Sequence, residues 1–461
     1  MMPQNEPLIA LNSPLLQQIL PLLTQAFDRL SHMPERYVDK IVRIEVETPV
    51  TDLIGFWAAQ SHPLTFFWSD RSGERQIAGI GELESLADRA DLFEIISSRL
   101  SEDSGAACYF GGMRFSEASE ISSEWSLFGR SCFRMPIVEW CREGDTYRFA
   151  VHVLWDGKTP PKNLLATTVS FLSALQFDVV KVSPHIPSLL QCEDRPSRSE
   201  WRRQVKAVLE KIEAGEGHKL VLARRTTCQF SDSFPASVLL SHLDSLNDPC
   251  YLFAFKTNHN QTFIGYSPEL LFDRNTSVIR TEALAGTRPR GETTDEDNAL
   301  AADLMQSAKD RSEHRLVLDH IQSALDFLCT SVNQDPDVSV CKLNQVQHLV
   351  FHLNGELASG ITNNTILKRL HPTPAVGASP RSFLSVLSGL ETFDRGWFSG
   401  PIGRISRESC QFIVGIRSCL AIDDQVHVYA GAGILAGSNA EKEWQELTYK
   451  MGPYLSLFNF L

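Results

Sequence analysis

Apolar residues recur along this chain in two rhythms. Near the start, SPLLQQILPLLTQAF repeats leucines at helical spacing behind Ser13-Pro14, a cap and first-turn pair, and predicts a surface helix packed on a core. From about Lys40 to Val182 the runs shorten to RIEVET, LTFFWS, CYFGGMRF, FRMPIVEWC and YRFAVHVLW. Clusters of Gly, Asp and Ser separate them, and they read as antiparallel strands. The polar stretch QCEDRPSRSEW, residues 191–201, sets a boundary, as much a seam as a linker, between an N-terminal α+β region, 1–195, and a second region, 196–461. Beyond it WRRQVKAVLEKIEAG predicts a helix stopped by Gly215. KLVLARRTT, YLFAFKT and FIGYSPELLF predict strands, and DNALAADLMQSAKDRSEHRLVLDHIQSALDFL one long helix. Strands return as GRI, FIVGIRSCLAI and QVHVYAG. Strands mixed with long helices, without strict β-α alternation, favour an α+β fold over a doubly wound sheet.

Composition acts mainly by exclusion. At 43% hydrophobic and 21% charged residues over 461 positions, the chain can bury one large core or two ordinary ones. A net charge of −13 argues against nucleic acid or an anionic membrane as partner, so any acidic ligand needs a local basic pocket. The ten cysteines are scattered, with no C-x-x-C, as expected of reduced thiols in a cytoplasmic protein. MMPQNEPLIA lacks a basic start and an apolar stretch, and no run reaches the roughly eighteen apolar residues of a membrane span.

The stretch HVYAGAGILAGSNAEKEW, residues 427–444, resembles a dinucleotide fingerprint, but its third glycine is one position too far along. Ser438 and Glu441 have capping-box spacing and predict a helix start. On that helix Glu443, Glu446 and Lys450 share a face, beside an apolar stripe of Trp444, Leu447 and Met451. Two carboxylates and an ammonium beside a glycine turn with free N–H groups point to a metal-and-anion site.

Other chemistry-bearing residues stand apart in sequence. Lys219 alternates with apolar neighbours, where desolvation favours a neutral amine, although a strand-end lysine reaching solvent has the same pattern. Glu269 sits in an apolar run, where a carboxyl retains its proton, or else is an ordinary carboxylate after a proline turn. Glu313 lies at the edge of a helical stripe, a place where most glutamates are solvated. Ala285-Gly286-Thr287 offers a small-residue turn before Arg288 and Arg290. His348 and His352 are four apart without H-E-x-x-H, which favours a helix-core or capping role over zinc. Arg417, within FIVGIRSCL, needs an anionic partner if buried.

In order and wording, KLVLAR, SPELL, EALAGTRPRG, KDRSEH, VQHL, HPTPAVG, RGWFSGPIG, IVGIRS and YAGAGILAGSNAEKEWQE resemble the chorismate-utilising enzymes over roughly residues 197–458. The resemblance implies a chorismate-binding, anthranilate synthase component I-like α+β fold: large antiparallel sheets wrapped by helices, with 196–461 as the catalytic domain. It implies that Lys219 activates water for attack on ring carbon C2 of chorismate and that Glu269 protonates the departing C4 hydroxyl. Glu313 and Glu446, with Glu443 close by, match the carboxylates that hold Mg²⁺ against the ring carboxylate. Arg417 and the Gly431 and Gly433 amides match the clamp on the other carboxylate. Gly286, Thr287, His348, Thr373 and Lys450 match further substrate contacts.

Within the family, a lysine at 219 and Ala285 depart from the ammonia-using branches, so water is the expected nucleophile and no glutamine amidotransferase subunit is expected. The resemblance implies isochorismate synthase activity. Salicylate synthase, which adds pyruvate elimination, is the alternative, and Phe398 stands where salicylate-forming members tend to have Tyr. GASPR departs from the commoner double glycine after HPTPAV.

Overall fold

The computed structural model describes residues 13–117 and 120–460. The alternating runs form two large antiparallel sheets. The first, of twelve strands, runs in the order Ile41–Thr48, Thr146–Leu154, Val138–Glu143, Arg75–Ile80, Thr65–Ser69, Tyr251–Asn258, Gln261–Ser267, Ser418–Ile422, Gln425–Leu435, Lys219–Phe230 and Ala378–Ser379, with Leu189–Arg195 also paired to Lys219–Phe230. The second, of ten, runs Cys329–Gln334, Val346–Leu357, Val278–Pro289, Leu270–Asn275, Ser409–Val414, Pro401–Ile405, Tyr109–Met113, Ser131–Met135 and Glu84–Ala87, with Ser339–Lys342 also paired to Val346–Leu357. Each sheet takes strands from both sides of residue 195, so the boundary at 195/196 separates no layer of the fold.

An aromatic core joins the sheets face to face. Phe66 and Phe253 of the first and Phe110 of the second are buried together with Trp125, Phe128 and Trp397, and the Phe66 and Phe110 rings stack 4.1 Å apart. Helices cover the outer faces. Pro14–His32, Arg198–Glu213 and Ala440–Leu457 bury apolar stripes against the first sheet, and Ala308–Leu328 buries Val317, Ile321 and Leu325 against the second.

Several local expectations are corrected. The long helix over 297–328 is two helices, Thr294–Gln306 and Ala308–Leu328, because Ser307 is extended and its hydroxyl accepts from the Asp310 N–H to cap the second. The C-terminal helix is capped by Asn439, which accepts from the Glu441 and Lys442 N–H groups, and not by Ser438. The cysteines are not all thiols: Cys192 and Cys228 face each other across paired strands, Cα atoms 4.3 Å apart, and are joined in a disulfide. Among the described residues no helix is long and apolar enough to cross a membrane.

Two apparent strands turn out to be crossings between sheets. FIGYSPELLF breaks after Ser267, leaving the first sheet and entering the second at Leu270. FIVGIRSCLAI breaks after Val414 and returns to the first sheet at Ser418. Proline removes an N–H in the first break, and in the second Arg417 takes a left-handed φ of 48°. The crossings are laced together. Ser267 Oγ donates to the Val414 carbonyl (2.6 Å), the Val414 N–H to the Glu269 carbonyl (3.1 Å), and the Tyr266 N–H to the Arg417 carbonyl (2.9 Å).

Candidate active site

A cavity opens at the crossings. Glu269, Gly286, Thr287, Glu313, His348, Arg417, Gly431 and Lys450 all reach its wall, from strands of both sheets and from two helices. The apolar part of the wall includes Val221, Leu284, Val376 and Phe398. Phe398 is buried and stacked on Tyr429 at 5.3 Å between centroids.

Glu269 is buried, and its carboxyl is pushed up to about 8, first by burial and then by the neighbouring Glu282 carboxylate. Lys219, Lys450 and a hydrogen bond with the Thr373 side chain pull the other way. It therefore holds a proton at neutral pH, as the apolar run predicts. Thr373 serves the cavity indirectly, through that bond to Glu269.

Lys219, the first residue of its strand, is fully buried, with Nζ 2.7 Å from Glu313 Oε1. The long stem runs beside Gly433, where a Cβ would lie 2.5 Å from Lys219 Cε and 2.7 Å from Glu313 Oε1. Gly433 thus makes room for the ion pair. Gly431 and Gly433 belong to the strand Gln425–Leu435 and not to a turn. What Gly431 presents is its carbonyl, which accepts from Lys450 Nζ at 2.9 Å.

Gly286 is not in a turn either. It forms a bulge in the strand Val278–Pro289, at φ 75°, where pairing with Val346–Leu357 shifts register. The bulge turns its carbonyl to His348 Nδ1, 2.9 Å away, with Thr287 Oγ1 at 3.2 Å. His348 lies on a strand, contrary to the helical reading, and His352 faces outward to Asp335. Burial and the adjacent Arg417 guanidinium push the His348 imidazole down to about 3. The neutral ring donates from Nδ1 and accepts at Nε2 from Arg417 Nη2, at 3.0 Å. Arg417 is itself buried, and desolvation lowers it from its ordinary value. It has no carboxylate within salt-bridge distance among the described residues, so an anion in the cavity meets an unneutralised guanidinium.

Three glutamates meet three lysines at the cavity's edge. Besides the Lys219–Glu313 pair, Lys450 Nζ lies 2.7 Å from Glu446 Oε1 and Lys309 Nζ 2.5 Å from Glu443 Oε1. Burial and the neighbouring Glu446 raise Glu443. Burial alone would also raise Glu446, but Lys450, with Lys309 and Lys219, outweighs it and holds Glu446 low. All-oxygen donors of this kind suit Mg²⁺, which keeps several of its waters. Among the described residues no three such side chains converge on one point, so the protein could supply only part of an ion's shell. Each of the three glutamates is paired with a lysine, and of the three it is Glu313 that lines the cavity wall, while Glu443 also hydrogen-bonds the Ser438 side chain.

Sequence reasoning did not single out Lys309, Glu282 or Arg71. Glu282 carried a signal, a carboxylate within the apolar run TEALAG; Arg71, in a polar turn, carried none.

A family model described as chorismate binding enzyme matches residues 28–459. Among curated proteins, isochorismate synthase MenF of Haemophilus influenzae is 31% identical over 96% of this chain and 98% of its own length. The chloroplastic isochorismate synthase of Catharanthus roseus is 35% identical over 76% of this chain, which spans 61% of that relative's length. Among solved structures, MenF, the menaquinone-specific isochorismate synthase of Escherichia coli, superposes with a TM-score of 0.83 at 25% identity, covering 95% of this chain and 99% of that one. Anthranilate synthase component I of Streptococcus pneumoniae shares the fold, with a TM-score of 0.65 at 20% identity.

Proposed function

The chain belongs to the chorismate-binding enzyme family, and we propose that it is an isochorismate synthase, exchanging the C4 hydroxyl of chorismate for one at C2. The observation that carries this reading is one cavity whose wall holds a buried carboxyl that keeps its proton, Glu269, the unneutralised Arg417, and Glu313, to which the buried Lys219 amine is paired at 2.7 Å. In its deprotonated form Lys219 accepts a proton from the water that attacks C2, and Glu269 gives its proton to the departing C4 oxygen, which leaves as water. Arg417, held by His348, binds a substrate carboxylate, and the apolar wall excludes bulk water. The exchange is redox-neutral, so a base, an acid and neutralisation of a dianion suffice.

We assign Glu313 and Glu446 as the protein ligands of a Mg²⁺ ion, which would neutralise a substrate carboxylate when bound. The cytoplasm is the proposed compartment, and isochorismate for a quinone the proposed product stream.

The test is incubation of purified protein with chorismate and Mg²⁺ near neutral pH, with products identified by chromatography. The expected outcome is one chorismate–isochorismate mixture reached from either side, with little pyruvate. Stoichiometric pyruvate in a lactate dehydrogenase coupled assay would make the protein a salicylate synthase, and no turnover would overturn the reading.

A further inference from the structure

The segment that carries Glu269 is gripped from behind by two residues outside the cavity. Arg71 lies in the turn between the strands Thr65–Ser69 and Arg75–Ile80 of the first sheet, and Glu282 in the strand Val278–Pro289 of the second. The Arg71 guanidinium forks onto the Glu282 carboxylate, Nη1 to Oε2 at 2.9 Å and Nη2 to Oε1 at 2.5 Å. Nη2 also donates to the carbonyl of Pro268, and Glu282 Oε1 accepts from the Leu270 N–H at 2.9 Å. The pair thus holds the residue before Glu269 by its carbonyl and the residue after it by its amide. The Glu282 side chain is 1% exposed, and the Tyr251 ring covers the guanidinium at 5.1 Å.

We propose that Arg71 and Glu282 are positioning residues for the acid of the reaction: they fix the Pro268–Leu270 backbone where the chain passes between sheets, and they set the charge behind the Glu269 carboxyl. The proposal rests on the reading of Glu269 as that acid. The charges that act on Glu269 are those of Glu282, Lys219 and Lys450, and the Thr373 side chain, from the loop after the helix Asn363–Leu370, hydrogen-bonds it. Glu282 in turn meets Arg71 and, at 3.8 Å, His352 Nε2, whose Nδ1 is held by Asp335. Burial keeps the proton on Glu269 against the pull of the two lysines. Glu282 opposes them, and Arg71 limits how far it does so.

The two residues therefore act in opposite directions on one observable. Gln at 282 retains an oxygen for the Leu270 N–H and removes the charge, so in Glu282→Gln the alkaline fall of kcat moves down by about one pH unit. Arg71→Gln leaves Glu282 without its counter-charge, and the fall moves up. Should Glu282→Gln not fold, the upward shift in Arg71→Gln, whose side chain is 27% exposed, tests the proposal alone. The experiment is the kcat–pH profile of wild type and both variants for chorismate consumption, with Glu269→Gln measured alongside. Opposite shifts support the proposal. Folded variants that lose the same fraction of turnover at every pH overturn it, leaving only a scaffold role. Undiminished turnover in Glu269→Gln would instead overturn the reading of Glu269 as acid, and depends on neither Arg71 nor Glu282.

Discussion

Replacing Gly433 by alanine tests whether the Lys219–Glu313 geometry matters to turnover. The added Cβ would stand 2.5 Å from Lys219 Cε and 2.7 Å from Glu313 Oε1. Ordinary carbon–carbon contact is about 3.5 Å or more, so something must yield by roughly 1 Å. The backbone at Gly433 is held by its ladder to Lys219–Phe230, where Gly433 stands opposite Val221. The lysine stem and the glutamate therefore give way, and Nζ leaves the place from which it would take a proton. A displacement of that size at a reacting group costs about 10² in rate, or about 2.7 kcal/mol of barrier. The overpacking itself costs stability of about 1–3 kcal/mol.

Gly431→Ala is the matched control on the same strand. Its Cβ would lie 3.0 Å from a Val221 methyl, which can rotate, and should cost less than about tenfold. Both variants are assayed for chorismate consumption under saturating substrate and Mg²⁺, with a thermal melt to establish folding. A folded Gly433→Ala enzyme with kcat within a factor of about two of wild type would refute the role given to the pair.

Lys219→Ala should leave the KM for chorismate within roughly tenfold while kcat falls by on the order of 10² or more, read by steady-state kinetics. Excess EDTA should abolish turnover and added Mg²⁺ restore it, and titration calorimetry should show Glu446→Gln binding the metal more weakly. Glu269 is held at about 8 in the folded protein against 4.5 for a free side chain, so the folded state keeps a proton that the unfolded chain loses between those values. Stability from this group is full below pH 4.5 and is lost as pH rises toward 8, so the melting temperature of Glu269→Gln should gain on wild type across that window while its turnover is lost.

What the sequence made legible were residues whose chemistry clashes with their local pattern. Lys219 and Glu269 stand among apolar neighbours, and the structure buries both, Glu269 in the cavity wall and Lys219 behind it on Glu313. The strands were legible as runs but not as partners. Period-two alternation shows that one face is buried without saying which strand lies beside it. The two sheet crossings were hidden for a related reason: SPE and GIR interrupt neither run's hydrophobicity, so each read as one strand although the ladder breaks there. His348 was read on a helix because i, i+4 spacing also fits same-face positions on a strand, which is where the structure places it. Arg71 lies in a turn between two strands, and only the packing of the first sheet on the second brings it to Glu282.

Arg417 shows why the site lies at those crossings. Within a ladder, backbone groups are spent on neighbouring strands and side chains alternate between faces that the core or the helices cover. A crossing frees side chains to point into the gap between the sheets. The cost is conformational: a non-glycine residue in the left-handed region is strained by about 1–3 kcal/mol and persists only where its surroundings over-determine it. Here the Arg417 carbonyl accepts from the Tyr266 N–H at 2.9 Å and from the Tyr454 hydroxyl at 2.5 Å. Tyr266 precedes the other crossing, and Tyr454 is on the helix that carries Glu446 and Lys450. The bonds that hold the strained arginine thus also fix its distance from the acid and from the glutamate–lysine face, so a shift of any one element is transmitted to the guanidinium. Under the proposed function, dianion recognition and proton delivery would be coupled through one short length of backbone, which ordinary loops, free to relax separately, would not achieve.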